Sequence, residues 1–507
     1  MFFYEISFPA PFLDVSQDLN IKLKLPNNTY CEPLTVSDAK TREDWPLWEK
    51  AIAEELESLH QHQTYELVDL PAHKRVIGSK FVFKIKRDSK GEVDRYKVRL
   101  VAKGFSQIEG INYFETTSPV AKLNSVRTLL SIVAIEDLEM THMDVTAAFL
   151  IPELKEEVFM KLPLGLQEQQ VWKLKKSLYG LKQASRAWNQ EVEFFLLSLG
   201  FHSCKTDPCI FVKNSVDSKI IIGLYVDDLL IASTKLDDLI QIKLRLKSKW
   251  DIKEVSTSSS FLGLAIARDR LNRRIHLSQE SLIADILVDC EMEKCNPAKI
   301  PYESGLKLCK SESEEPDEFQ LDYRHTIGQL LYVAINTRPD ITAAVSILSQ
   351  YVSNPGPTHW QATKKLLRYL QGTSDFGIIL GGGSLTLSGF TDADWAGDVD
   401  SRKSRTGYIF KLGDGPISWQ SKKQPTVALS TTEAEYLSLS AGLQEALWLR
   451  QLLDELGYTQ SRPTIMHQDN TGCIELTKSN KNHSRAKKKN QQAFQSRSVL
   501  EVCLLGC

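Results

Sequence analysis

The segment IIIGLYVDDLLIA, residues 220–232, decides the fold of this chain. Apolar runs flank a short polar centre, which predicts two strands joined by a tight turn that carries Asp227 and Asp228. Two adjacent carboxylates repel each other unless a cation lies close to both. The tetrapeptide Tyr225–Asp228 alone therefore leaves two interpretations open, a metal site and an ordinary polar β-turn.

A third carboxylate lies upstream in MDVTAAFL, residues 143–150, where Asp144 follows an apolar strand and Phe149 stands five residues further on. Mg²⁺ prefers oxygen ligands and keeps several waters, so a few aspartates on rigid strands suffice to hold it. Phosphoryl transfer can use two such ions, placed at the attacking and the leaving oxygen. The three aspartates together favour the metal interpretation.

The composition is that of a globular protein with several domains. The chain has 507 residues, of which 42% are hydrophobic and 25% charged, and about two to four domains are expected for this length. A net charge of −2 neither indicates nor excludes a nucleic-acid partner, because basic residues can be confined to one channel. Nine scattered cysteines without a CxxC pair predict reduced intracellular thiols and no zinc module.

No segment has the pattern of a secretion signal or a membrane span. The N-terminal stretch MFFYEISFPAPF lacks a basic segment and meets Glu5 and Pro9 early. The longest apolar candidate, Ile220–Val226, is far shorter than the roughly 20 residues that a membrane helix needs. We therefore expect a soluble protein without a membrane partner.

Periodicity and turn residues predict the elements around these motifs. An amphipathic helix is expected from Trp45 onward, with Ser37 or Thr41 as its cap. Glycines in Gly381–Ser384 indicate a domain junction, and the acidic run Lys310–Glu318 indicates a surface loop. The other expected elements are strands at 65–68, 79–85 and 97–102, a turn at 88–91, a helical stripe at 126–133, helices at 184–199 and 431–456, and a β-rich unit beginning at 385–390.

A second set of carboxylates follows the Gly381–Ser384 junction, in TDADWAGD (391–398), STTEAEY (430–436) and HQDN (467–470). Their spacing fits a strand, a helix and another strand. Ser430 and Glu433 form a capping-box pattern in which Glu433 folds back onto the N-cap amide, and this leaves Glu435 available for a site. Hydrolysis of a phosphodiester can use the same two-metal logic, with water as the attacking group. Loop or surface roles are expected for Asp394 and Asp398.

Several motifs, taken in order, resemble the copia-like retrotransposon reverse transcriptases. MDVTAAFL, SLYGLKQASRAW (177–188) and LYVDDLLIA (224–232) are similar to the palm of that family. RYKVRLVAKGFSQ (95–107) and FLGLAIARD (261–269) lie where the family has its fingers and its primer-contacting hairpin. The resemblance implies a multidomain α+β and α/β protein, a right-hand polymerase with fingers, palm and thumb/connection, followed by a ribonuclease H-like mixed-sheet domain.

The resemblance also implies roles for individual residues. Two Mg²⁺ ions per active site, with Mn²⁺ as a substitute, would be held in the polymerase by Asp144, Asp227 and Asp228, and in the nuclease by Asp392, Glu435 and Asp469. Phe149 matches the bulky residue that favours deoxynucleotides, although a core aromatic is the alternative. Nucleotide or template contacts are implied for Lys84, Lys86, Lys97, Arg99, Tyr179, Gly180, Lys182 and Gln183, and a primer grip for Phe261, Leu262 and Gly263. A solvated strand face explains any single one of the basic residues equally well.

The chain departs from the family pattern at three places. Ile151 and Pro152 stand where Asn-Gly is usual, and Ser185 stands where Pro is usual. After His483–Ala486 comes a basic run and a tail unlike the family, which we expect to be unstructured. The nuclease is then expected to lack its last member and to cleave weakly or not at all.

The expected domains are a tail (1–33), fingers and palm (34–250), primer grip, thumb and connection (251–380), a ribonuclease H-like domain (381–485) and a divergent tail (486–507). The main hypothesis is an RNA-directed DNA polymerase that acts on an RNA template, a DNA or tRNA primer, deoxynucleoside triphosphates and an RNA/DNA hybrid. An inactive or domesticated relic that binds nucleic acid is the alternative. An integrase-type recombinase is disfavoured, because its carboxylates would not lie on an Asp-Asp hairpin. No protease or integrase segment is expected in this stretch.

The resemblance further implies an intracellular location, in a cytoplasmic particle with access to the nucleus and without secretion. The oligomeric state does not follow from the sequence.

Overall fold

The computed structural model describes residues 32–87, 93–161, 163, 170–255, 261–303, 305–311, 320–478 and 500–504. Four features expected from the sequence lie outside these residues, wholly or for the most part. They are the N-terminal tail (1–33), the turn at 88–91, the acidic run Lys310–Glu318 and the basic run 487–489.

The helices, in chain order, are α1 Val36–Lys40, α2 Trp45–Gln61, α3 Leu123–Ile135, α4 Ala184–Ser198, α5 Leu236–Lys249, α6 Glu280–Asp289, α7 Gln320–Asn336, α8 Thr342–Leu348, α9 Pro357–Gln371, α10 Thr431–Glu455 and α11 Thr471–Lys478. The strands are β1 Tyr65–Asp69, β2 Val76–Ile77, β3 Ser79–Arg87, β4 Val93–Ala102, β5 Glu139–Val145, β6 Glu153–Lys161, β7 Gln170–Lys176, β8 His202–Ser203, β9 Ile210–Asn214, β10 Lys219–Tyr225, β11 Asp228–Ser233, β12 Ile252–Val255, β13 Ala265–Asp269, β14 Arg274–Ser278, β15 Gly377–Gly381, β16 Leu387–Ala393, β17 Arg405–Leu412, β18 Gly415–Lys423, β19 Thr464–Gln468 and β20 Leu500–Leu504. Within the described residues, no helix is long and apolar enough to cross a bilayer.

The described residues pack as two compact units. The first contains the chain up to Asn112 together with Glu156–Leu181, and the second contains Tyr113–Lys155 and the chain from Lys182 onward. The glycines 381–383 lie inside the second unit, where Gly381 ends β15 and the other two follow it before β16. The domain bounds expected from the sequence remain predictions.

In the first unit, β3 and β4 form a long antiparallel ribbon, and β1, β7, β6 and β2 form a second sheet. Phe81, Phe83 and Ile85 alternate with exposed residues on β3 and face the core, as a half-buried strand requires. The helix expected from Trp45 is confirmed, but its predicted cap is wrong. Thr41 ends α1 and a short turn intervenes, so α2 begins after Asp44, with Pro46 in its first turn.

The second unit contains an antiparallel sheet in the order β12-β5-β11-β10-β9-β8. The strand β10 is buried along Ile220–Leu224, because α3 packs its Leu129 against this sheet near Gly223. The hairpin expected at 220–232 is confirmed as β10 and β11. The helices expected at 126–133 and 184–199 are confirmed as α3 and α4.

Beyond this sheet, α6 to α9 enclose a separate apolar core that includes Ile283, Leu330 and Leu366. A five-stranded sheet follows, in the order β18-β17-β16-β19-β20, with β19 parallel to both β16 and β20. The long helix expected at 431–456 is confirmed as α10, and it packs on β16 and β17.

The unstructured tail expected after Ala486 is wrong for one segment. Residues 500–504 form β20, in register from Thr464 opposite Leu500 to Gln468 opposite Leu504. An open strand edge offers unpaired backbone N–H and C=O groups, and the sequence LEVCL is rich in apolar residues suited to a strand. The tail therefore supplies an edge strand to the five-stranded sheet.

Candidate active sites

The tight turn between β10 and β11 carries the first group of carboxylates. Tyr225 pairs with Asp228, so only Val226 and Asp227 form the loop. Val226 has a φ of 56°, which is a strained value for a β-branched residue but one that a two-residue hairpin turn of the primed type requires. The indole N–H of Trp188, on α4, donates to the carbonyl oxygen of Val226 over 2.6 Å. The turn is thus held in its strained form by a buried side chain.

Asp144 lies on the neighbouring strand β5, directly opposite Asp228 in the antiparallel register. Directly opposite side chains share one face of a sheet, with Cβ atoms about 4.5–5.5 Å apart. The amide of Val145 donates to the carbonyl oxygen of Asp227 over 3.0 Å, which binds the turn to the end of β5. The fold therefore brings Asp144, Asp227 and Asp228 together at one end of these three neighbouring strands, and all three are half-buried.

His142 completes this group, and sequence reasoning missed it. It precedes Asp144 by two residues on the same face of β5, and its Nε2 lies 2.7 Å from Oδ1 of Asp228. Its position at alternate spacing from Asp144 was the available signal, because residues i and i+2 of a strand share a face.

The predicted primer-grip residues Phe261, Leu262 and Gly263 form a tight turn, but the side chain of the first is not exposed. Phe261 pairs with Leu264 across a tight turn, but its side chain is buried and its ring meets the ring of His142 edge-on at 4.9 Å. Leu262 and Gly263 occupy the turn itself, with positive φ, and Tyr332 donates to the carbonyl oxygen of Leu262 over 2.8 Å. A primer contact from this turn is thus left to Leu262 and Gly263, and it remains a prediction.

In the first unit, the basic residues predicted for nucleotide binding share one face of the β3–β4 ribbon. Lys84 lies opposite Lys97, and Arg99 lies two residues further along on the same face. The Lys84 ammonium pairs with Glu32 at 2.9 Å, whereas Lys86 is exposed. A strand face with this concentration of cations is suited to phosphate.

Tyr179 and Gly180 pack against this ribbon. The guanidinium of Arg99 lies 4.6 Å from the centre of the Tyr179 ring, and the amide of Ala102 donates to the Tyr179 carbonyl oxygen over 2.8 Å. Gly180 has a φ of 87°, and a Cβ there would meet the carbonyl oxygen of Ala102 at 2.3 Å. Only glycine fits this approach, which gives Gly180 a structural reason independent of any ligand.

The other predicted contact residues lie in the second unit. Phe149 is half-buried against the core in a short 3-10 turn, and Gln183 is buried at the start of α4. Lys182 donates to the Tyr113 hydroxyl over 3.0 Å. The departures from the family pattern are accommodated: Pro152 is buried just before β6, and α4 begins at Ala184 without a proline.

The second group of carboxylates assembles at one end of the five-stranded sheet. Asp392 lies on β16, Asp469 directly follows β19, and Glu435 lies in the second turn of α10. Because β16 and β19 are parallel, their carboxyl ends meet at the same edge. Oxygens of the three carboxylates all lie within 4.8 Å of one another, a spacing suited to a cation. Asp144, Asp227 and Asp228, also among the described residues, do not meet that spacing.

Burial sets the electrostatics of this second group. It raises the pKa of Glu435 to about 7, helped by the charge of Asp392, and Gln468 donates to the Glu435 carboxylate over 3.3 Å. Burial and the charge of Asp469 likewise raise the pKa of Asp392. Carboxylates that repel each other in a partly buried site favour a cation that relieves the repulsion. The donor set therefore fits a divalent metal.

The start of α10 differs in detail from the predicted capping box. Ser430 accepts from the amide of Glu433 over 3.1 Å, as expected, but Glu433 accepts from the amide of Leu429 rather than that of Ser430. Either way Glu433 is occupied at the helix start, and Glu435 is directed to the site.

Asp394 and Asp398 hold the loop after β16. Asp394 accepts from the amide of Arg405, and Asp398 accepts from the amide of Ser401 and pairs with Lys423 at 3.2 Å. These are loop roles, as expected, although the Asp398 side chain is only 6% exposed and does not lie on the surface.

The chain is similar to known reverse transcriptases and retrotransposon proteins. A family model described as reverse transcriptase (RNA-dependent DNA polymerase) matches residues 62–304. The retrovirus-related Pol polyprotein from transposon TNT 1-94 of Nicotiana tabacum is 42% identical over 448 residues, 86% of this chain and 34% of that protein. The putative transposon Ty5-1 protein of Saccharomyces cerevisiae is 31% identical over 309 residues, 60% of this chain and 100% of that protein.

The chain belongs to the copia-type retrotransposon Pol family. This Pol segment spans about a third of the length of the plant Pol polyproteins that it matches, between 30% and 34%. A solved foamy viral protease-reverse transcriptase in complex with an RNA/DNA hybrid aligns with a TM-score of 0.50 at 10% identity, over 90% of this chain and 53% of that one. The expected polymerase fold of mixed α and β elements is confirmed. Reverse transcriptases generally use divalent metal ions.

Proposed function

We propose that this Pol segment is an RNA-directed DNA polymerase that adds deoxynucleotides to the 3′ hydroxyl of a primer. The observation that carries the proposal is the placement of Asp144 opposite Asp228, with Asp227 in the adjoining two-residue turn. Three carboxylates at one edge of a rigid sheet are the donors that hard divalent cations require. The proposed partners are an RNA template, a DNA or tRNA primer and deoxynucleoside triphosphates.

Asp144, Asp227 and Asp228 would hold two Mg²⁺ ions, or Mn²⁺ in their place. When bound, such ions lower the pKa of an attacking hydroxyl and neutralise charge on the leaving pyrophosphate. The strands β5, β10 and β11 keep the three carboxylates in a fixed register, so little reorganisation is needed at the moment of reaction.

The basic face of the β3–β4 ribbon would bind the triphosphate through Lys84, Lys86, Lys97 and Arg99. Tyr179 would support this face through its contact with Arg99. In the second unit, Phe149 would exclude a ribose 2′ hydroxyl, Lys182 and Gln183 would contribute to the template region, and Leu262 and Gly263 would contact the primer. These roles are proposed from the family resemblance, and the positions of the residues are compatible with them.

Primer extension on an RNA template with Mg²⁺ or Mn²⁺ tests the polymerase. Wild type should extend the primer, and Asp227→Asn should reduce extension by a factor of about 100 or more. Asp237→Asn, a change at an exposed aspartate on α5, is the matched control and should leave extension intact. If wild type binds primer-template but adds no deoxynucleotide, the chain is a nucleic-acid-binding relic and the polymerase proposal is wrong.

A second function is favoured by the close approach of Asp392, Glu435 and Asp469. We propose that these carboxylates hydrolyse the RNA strand of an RNA/DNA hybrid, with Mg²⁺ or Mn²⁺ held between them. Weak cleavage is expected, because the chain after Ala486 departs from the family. Robust hybrid cleavage that Glu435→Gln abolishes would overturn the expectation of weakness, and cleavage that survives this change would overturn the assignment of the site.

We also propose an intracellular location, in a cytoplasmic particle with access to the nucleus. Scattered cysteines without close pairs support it, since secreted proteins commonly pair theirs. Fractionation of cells that express the intact element, followed by immunodetection of this segment, tests the proposal; recovery from the medium alone would contradict it.

A further inference from the structure

His142 lies on the same face of β5 as Asp144, two residues before it. Its side chain is only 7% exposed, and its Nε2 lies 2.7 Å from Oδ1 of Asp228. An ionised carboxylate oxygen can only accept a hydrogen bond, so the imidazole donates through Nε2. Asp228, on the neighbouring strand β11, is the diagonal neighbour of His142, a separation that a side chain of this length spans.

The rest of the imidazole makes no polar contact that would explain a histidine at this position. Nδ1 is buried and finds no hydrogen-bond partner among the residues that the structure describes. Phe261 packs edge-on against the ring, with an interplanar angle of 88°. A buried polar atom without a partner is unfavourable, so packing alone would be better served by an apolar side chain. The hydrogen bond to Asp228 is therefore the feature that explains a histidine at this place.

We propose that His142 is a positioning residue for Asp228, which fixes the orientation of that carboxylate and thereby strengthens divalent-metal binding at the polymerase site. The inference rests on the proposed function, since it takes Asp228 as a metal ligand. Hydrogen bonds from outside a metal site orient its ligands, and their removal typically weakens metal affinity by about 10- to 100-fold. Phe261 also packs against the ring, so the predicted primer-grip turn and the carboxylate are joined through one imidazole.

The experiment measures Mn²⁺ binding directly, by electron paramagnetic resonance titration of the full chain with primer-template. The nuclease carboxylates are silenced by Asp392→Asn and Asp469→Asn in every sample, so the remaining tight binding reports on the polymerase site. His142→Leu removes the donor and keeps an apolar side chain of similar size, whereas His142→Gln keeps an N–H donor. We expect His142→Leu to weaken Mn²⁺ binding about 10-fold and His142→Gln to restore most of the affinity.

A second readout separates positioning from general damage. The Mg²⁺ concentration that gives half-maximal extension should rise for His142→Leu, while the KM for primer-template stays near that of wild type. Thermal unfolding of each variant verifies the fold. If His142→Leu fails to fold, His142→Met fills the same space with a flexible apolar chain and makes the same comparison.

The outcomes distinguish this inference from the proposed function. If a folded His142→Leu chain binds Mn²⁺ as tightly as wild type, the positioning role is overturned and the polymerase proposal stays intact. Mn²⁺ binding by a wild type that extends no primer would overturn the polymerase proposal, and the His142 comparison would still stand on affinity. Absence of Mn²⁺ binding in wild type would overturn both.

Discussion

The indole N–H of Trp188 donates to the carbonyl oxygen of Val226 over 2.6 Å, and this bond spans 38 residues of sequence. Val226 has a φ of 56° and stands directly before Asp227. Left-handed backbone costs roughly 1–2 kcal/mol for an ordinary residue, so a contact that holds the turn stabilises a conformation that the chain would otherwise leave.

Trp188→Phe should lower the free energy of unfolding by about 1–3 kcal/mol, because a partly buried carbonyl loses its donor, and should slow primer extension. Trp250→Phe is the matched control: Trp250 is buried beside Trp188, with ring centres 5.2 Å apart, and its indole N–H has no partner among the described residues. Urea unfolding of both variants separates the hydrogen bond from the loss of ring volume. Equal losses of stability would show that the bond to Val226 contributes nothing.

Arg127 is buried on α3 and donates to the carbonyl oxygens of Ile417, Ile335 and Asn336. Burial lowers the pKa of its guanidinium to about 9, and the ring of Trp419 lies 3.9 Å away. Arg127→Lys should lower the free energy of unfolding by about 2–4 kcal/mol, because a lysine head cannot reach three separate carbonyls. Arg245→Lys, on the exposed face of α5, is the control for urea unfolding. Surface changes scatter by about 0.5 kcal/mol. If Arg127→Lys lowers the free energy of unfolding by less than this amount beyond the control, the prediction is wrong.

Glu435 should make stability depend on pH in the absence of divalent metal. Its pKa is raised from 4.5 to about 7 in the folded chain, so the folded state binds a proton more tightly than the unfolded state. Its contribution is therefore fully present below pH 4.5 and is lost as the pH rises through about 7. Between those values the free energy of unfolding should fall more steeply for wild type than for Glu435→Gln, by at most about 3 kcal/mol. Urea unfolding at a series of pH values, with chelator present, measures it; parallel curves would refute it.

The strand β20 should contribute to the stability of the five-stranded sheet. Truncation after residue 499 would leave β19 as an unpaired edge, next to Asp469, and should lower the free energy of unfolding by about 1–3 kcal/mol through the loss of ladder hydrogen bonds. Truncation after residue 504 keeps β20 intact and serves as the control. Calorimetry of the two truncated chains decides the matter, and indistinguishable unfolding would mean that β20 adds no stability.

Local pattern determined the elements that could be predicted. Apolar runs around Asp227 and Asp228, alternation on β3 and helical spacing in α3 and α10 follow from side-chain burial at short range, and the order of motifs identified the family. The cap of α2 was missed, because Ser37, Thr41 and Asp44 are all acceptable cap residues and only the turn between the two helices selects one. The strand β20 was missed because its partner lies far away in sequence.

The sequence by itself determined which carboxylates are present and on which kind of element each lies. Only the tertiary structure decided that Asp228 meets His142, 86 residues away, that Val226 meets Trp188, and that Glu435 meets Asp392 and Asp469 within 4.8 Å. Helix and strand periodicity arises from neighbours along the chain, whereas these contacts arise from strand register and helix packing between distant segments. The turn Tyr225–Asp228 is thus specified locally, and its site is completed by side chains that the fold delivers.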